Sequence, residues 1–143
     1  MPGNLLTPGA VLALWTLVML LWMAGSRFPA LVSAGVDPKT SPPGGRGVDL
    51  EGVLPAKVNW KSHNYTHLLE QPTIFYPVLI FLHLSGGDSE TARLLAWTYV
   101  ATRILHSLWQ SLVNTIPVRL GLFLLSSLCL IGLAVMAVAA TLG

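Results

Sequence analysis

Two stretches of the chain, Leu5 to Met23 and Leu120 to Leu142, hold no charged residue and are rich in Leu, Val, Ala and Met. A helix needs about 20 apolar residues to cross a hydrocarbon core, so each stretch predicts one spanning helix, over about 5–26 and 118–142. Pro117 then falls in the first turn of the last helix, where a missing N–H is tolerated. Leu68 to Leu84 is largely apolar, with Glu70 and His83 the main interruptions, whereas Lys57 to His67 is polar yet contains no breaker. This pattern predicts one long second helix that begins near Pro55, enters the membrane around His67 and spans about 66–85. Pro72 and Pro77 should kink it, because each removes a backbone hydrogen bond. Ser85-Gly86-Gly87-Asp88 reads as a tight turn, and Asp88, Ser89 and Glu90 suit the start of a third helix over about 90–114. Between the first two spans, over about 28–54, Pro, Gly, Ser and charge take over around Pro42-Pro43-Gly44-Gly45, the pattern of a solvated loop.

A cleaved signal peptide competes for the first stretch, since Ala24-Gly25-Ser26 resembles a cleavage site. No basic residue precedes the apolar core, which argues for a retained span. Composition points the same way: 53% of the 143 residues are hydrophobic and only 10% charged, and the mean hydropathy is +0.66, the balance of a membrane protein. The expected fold class is all-α, one membrane domain over 1–143 forming a bundle of four transmembrane helices. The net charge is +2 and the basic residues are dispersed, so nucleic acid is not an expected partner. Cys129 is the single cysteine, which excludes an intrachain disulfide.

Lys and Arg concentrate after the first span, at Arg27, Lys39, Arg46, Lys57 and Lys61. By the positive-inside rule this loop is cytoplasmic and both termini lie on the opposite side. That orientation brings His63, His67, Glu70 and Arg119 close to the cytoplasmic face, and it keeps the Asn64-Tyr65-Thr66 sequon from any glycosylating compartment. Compact loops and the lack of a retention signal lean toward a bacterial inner membrane.

Polar residues inside apolar helices mark a site, because charge at that depth is costly. Tyr99, Arg103, His106, Gln110 and Asn114 are spaced by four, three, four and four, so they share one face of the third helix. His63, His67 and Glu70 share a face of the second. The two faces are complementary, with Glu70 on one and Arg103 on the other. They read equally as an ion-paired seam holding the bundle together and as a ligand site. His63-x-x-x-His67-x-x-Glu70 also has helical metal-site spacing, but no second ligand cluster accompanies it and Arg103 would repel a divalent ion, so no metal is expected. A phosphate loop, a nucleophile elbow and a hydrolytic carboxylate pair are all missing from the sequence.

The segments His63 to Pro77 (HNYTHLLEQPTIFYP) and Trp97 to Arg119 (WTYVATRILHSLWQSLVNTIPVR) resemble the MAPEG family, the membrane-associated proteins in eicosanoid and glutathione metabolism. The resemblance covers all four expected helices and is most specific at Arg103-x-x-His106 followed by Arg119. It implies a homotrimer in the lipid bilayer that binds glutathione between subunits as co-substrate and acts on a lipophilic small molecule. It further implies that Arg119 is the catalytic residue holding the glutathione thiolate, and that Arg27, His67, Glu70, Arg103, His106 and Gln110 bind or brace glutathione. The chemistry is apt: a thiol of pKa about 8.5 is mostly protonated at neutral pH, and a fixed guanidinium with a helix N-terminus behind it raises the reactive thiolate fraction. The sequence departs from the family pattern at His67, where Asn is usual, at His63 in place of an arginine, and at Gln110 in place of a tyrosine. The alternative is a catalytically silent member whose polar faces serve trimer packing.

Overall fold

A computed structural model of the chain, described for residues 3–143, is all-helical, with no strand among the described residues. Five α-helices follow one another: α1 Thr7–Ser33, α2 Ala56–Leu68, α3 Pro72–Leu84, α4 Glu90–Leu112 and α5 Ile116–Leu142. A 3₁₀ turn, Gly47–Leu50, lies inside the long loop. Two of the helices, α1 and α5, are long and apolar enough to cross a membrane, at 27 residues each.

The first helix runs past its expected end at residue 26 and takes in Gly25, Arg27 and Pro29. One glycine costs a helix only about 1 kcal/mol, and Phe28, Leu31 and Val32 continue the apolar run beyond it. The stop comes at Gly35, whose φ of 70° lets the Val36 N–H close back on the Leu31 carbonyl at 3.1 Å. Arg27 is therefore carried on a rigid helix and not on the loop, which begins several residues later than expected.

The second long helix is broken in two, not merely kinked. Pro72 has no N–H for the Leu68 carbonyl, and the chain tightens there into short-range bonds: Leu69 N–H to Thr66 O at 3.0 Å, Glu70 N–H to His67 O at 3.2 Å and Thr73 N–H to Glu70 O at 3.2 Å. Helix α3 restarts with Pro72 in its first turn. The break turns Glu70 outward and Gln71 inward. The Gln71 Nε2 donates to Ser127 Oγ of α5 at 2.9 Å, and its Oε1 accepts the Tyr99 hydroxyl of α4 at 3.2 Å. One amide thus ties three helices at the level of the break.

Helix α4 starts as expected, with the Ser89 hydroxyl capping the Ala92 N–H at 3.1 Å. It ends at Leu112, slightly short of the expected Asn114. Its polar stripe points inward: Tyr99, Arg103, His106 and Gln110 are all buried, and Arg103 is wholly shielded from solvent. Helix α4 lies along α5, α2 packs between α1 and α4, and α3 rests on α5. Leu12, Phe75, Leu82, Tyr99 and Leu133 fill the centre. Large apolar side chains also face outward, among them Leu14 and Leu21 on α1, Phe81 on α3, and Leu128 and Val135 on α5. An apolar exterior this extensive belongs against lipid or another chain.

Candidate functional site

The expected site residues gather at one end of the bundle, brought there by four helices and the loop. Arg27 comes from the last turns of α1 and His63 and His67 from the end of α2. Glu70 comes from the helix break, His106 and Gln110 from the second half of α4, and Arg119 from the first turn of α5. They line two adjoining hollows. The larger, about 660 Å³, is bordered by Arg27, Arg46, Glu51, His63, His67, Glu70 and Gln110 together with Gly47 and Tyr65. The smaller, about 240 Å³, is bordered by His67, His106, Gln110, Ile116, Arg119, Leu120 and Phe123. His67 and Gln110 belong to both and so form the wall between them.

The loop forms one side of the larger hollow. Glu51 binds His63, and the Asn59 amide donates to the carbonyls of Leu50 and Leu54, each at 3.4 Å. Gly47 lies against the Arg27 guanidinium so closely that a Cβ there would sit 3.0 Å from Arg27 Nη1. Lys61 lies 5.2 Å from the centre of the Trp22 ring. Burial first, and the neighbouring Lys57 charge second, pull its ammonium below its ordinary pKa.

Arg103 is expected to face Glu70 directly, and it does not. Its guanidinium sits between the Tyr99 and Phe123 rings, 5.3 Å from each centre, and Nη1 donates to His67 Nε2 at 2.9 Å. His67 Nδ1 in turn meets Glu70 Oε2 at 3.3 Å. The seam is thus a three-membered chain with an imidazole in the middle. Helical spacing alone could not show this, because it places residues on a face of one helix and does not say which of them reaches across to another. Arg103 lines neither hollow and braces the wall from behind. His106 stacks on His67, ring centres 4.7 Å apart. With His63 engaged by Glu51 and His67 by Arg103, the two histidines do not converge, and no group of three His, Cys, Asp or Glu suited to a metal occurs among the described residues.

Arg119 occupies the positive end of the α5 dipole, where a cation is destabilised by about 0.3–1 kcal/mol. It is held by Asn114, whose Oδ1 accepts from Nη1 at 2.5 Å. Asn114 leaves α4 with φ 60°, the one positive φ of a non-glycine among the described residues, and Asn is the residue that tolerates it with a usable acceptor. Sequence reasoning placed Asn114 on the polar stripe but missed this role, and it missed Gln71 altogether. An Asn five residues before an isolated Arg, across a Pro-started helix, is the signal that could have found the first. Arg119 lines the smaller hollow, and the larger one beside it carries Arg27 and Arg46 as cations and the exposed Glu70 carboxylate, so the two together offer partners for both signs of charge.

Comparison with known families matches the chain to the MAPEG family over residues 5–139, nearly its whole length. Comparisons with curated proteins and with solved structures give no match.

Proposed function

The chain belongs to the MAPEG family, and from that premise we propose that it is a glutathione-dependent membrane transferase or peroxidase acting on lipophilic substrates. The family contains such enzymes and also members without catalysis. The observation that carries the reading is the pairing of hollows: a tripeptide-sized crevice of about 660 Å³ shares a wall with a smaller one that holds Arg119. Binding sites for ligands of this size run to roughly 300–1,000 Å³. Arg27 and Arg46 suit the two carboxylates of glutathione, Glu70 suits its ammonium, and Arg119 suits the sulfur.

In this mechanism Arg119 and the N-terminal dipole of α5 favour loss of the thiol proton to solvent water, and Asn114 keeps the guanidinium aimed. The thiolate sulfur then bonds to an electrophilic atom of the lipophilic substrate, and the leaving group departs with its electron pair. The outward apolar faces let such a substrate arrive from the bilayer. Four crossings follow if α1, the α2–α3 rod, α4 and α5 each span, in a homotrimer that completes the crevice. The long loop is then cytoplasmic, the termini lie opposite, and a bacterial inner membrane is the setting that fits.

The test is a titration of the purified protein in detergent with glutathione, followed by thiolate absorbance. Wild type is expected to give a saturable signal and Arg119→Ala none; no signal from either would overturn the proposal. The full burial of Arg103 favours a second reading, a silent member in which the chain from Glu70 to Arg103 only holds the assembly together. Under it, Glu70→Gln and Arg103→Leu dissociate the oligomer, and an intact oligomer in both variants counts against it.

A further inference from the structure

His67 is the one side chain that borders both hollows and also makes both hydrogen bonds of the chain from Glu70 to Arg103. A guanidinium has donors and no acceptor, so the Nε2 that receives Arg103 at 2.9 Å must present its lone pair. The imidazole then carries its hydrogen on Nδ1, the nitrogen that faces Glu70 Oε2 at 3.3 Å. The opposite tautomer is disfavoured at both ends, with N–H against N–H at Arg103 and lone pair against carboxylate at Glu70. Arg103 is wholly buried, and its Nε and Nη2 have no acceptor among the described residues. The imidazole is therefore the group that connects the Glu70 carboxylate to the buried guanidinium by hydrogen bonds. The ring is held from its faces as well, by His106 at 4.7 Å and Phe123 at 5.8 Å between centres.

We propose that His67 is a positioning residue: a bridge fixed in the Nδ1–H tautomer that links Glu70 to Arg103 and so holds the Glu70 carboxylate at the mouth of the larger hollow, where a ligand ammonium binds. No bond is made or broken at His67. Its loss weakens binding of the ligand and leaves the Arg119 chemistry alone. The ligand, glutathione, is taken from the function proposed above, while the bridge stands on the hydrogen bonds themselves.

Two measurements test it. Protein with ¹⁵N-labelled histidine in lipid bilayers should show the Nδ1–H tautomer for the resonance that disappears in His67→Phe. An Nε2–H tautomer, or an averaged mixture of the two, overturns the bridge. In a glutathione titration, His67→Phe keeps the ring contacts and loses both hydrogen bonds. It should bind about tenfold more weakly, the size of one charge-assisted hydrogen bond, with the thiolate amplitude at saturation unchanged. His67→Asn, whose amide can accept and donate, should stay within about threefold of wild type. A phenylalanine variant that binds as wild type does also overturns the bridge. If no protein in the series binds glutathione, the glutathione reading falls, and the tautomer alone decides the bridge.

Discussion

Asn114 combines a backbone task with a side-chain task, and substitution can separate them. Its φ of 60° ends α4, and its Oδ1 holds Arg119. Glycine adopts that φ without strain, so Asn114→Gly should fold with a melting temperature close to wild type while releasing the guanidinium. Hydrogen bonds to charged groups contribute about 1.5–3 kcal/mol, and the thiolate signal of Asn114→Gly with glutathione should fall roughly tenfold. An unchanged signal would show that Arg119 needs no aiming. Gln71 offers a contrasting test of stability. Gln71→Leu strands the buried Tyr99 hydroxyl and frees Ser127, which should cost about 1–3 kcal/mol in thermal or denaturant unfolding. Little change on unfolding would mean that the amide does not tie the helices. At this scale the sequence was partly legible. Arg103, His106 and Arg119 are conspicuous because charge and imidazole are rare in apolar helices, whereas Gln71 is inconspicuous and matters only because the break turns it inward.

The elements were legible to the extent that their signals are local. Ser89 caps α4, Pro117 opens α5 and the Gly86 turn ends α3 as the sequence predicts. The end of α1 and the continuity of the second helix were not. Whether a helix passes through Gly25 and Pro29, or stops between Leu68 and Pro72, depends on what packs around it as well as on its own residues. The break can be tested directly. Pro72→Ala returns an N–H to the Leu68 carbonyl and should let α2 run into α3, which takes Glu70 out of the outward position it holds at the break. The far-UV helix signal should stay level or rise slightly while glutathione binding weakens about tenfold, as expected from losing one charge-assisted contact. Unchanged binding would mean that the break is not needed to place Glu70.

For the whole molecule, the outward apolar faces and the basic loop together predict topology. A cysteine introduced at Ser41, in a background where the buried Cys129 is replaced by serine, should react with a membrane-impermeant maleimide only from the cytoplasmic side. Labelling from the opposite side would invert the proposed orientation. The sequence by itself determined the all-helical class, the apolar α1 and α5, the family, and the inward stripe from Tyr99 to Gln110. Each of these follows from the period of the helix and the cost of placing polar groups among apolar ones, which act residue by residue along the chain. Only the tertiary structure decided that Glu70 reaches Arg103 through His67, that Asn114 holds Arg119, and that His67 and Gln110 divide two hollows. Those relations join residues on different helices, and they depend on where a missing N–H at Pro72 and a positive φ at Asn114 turn the chain.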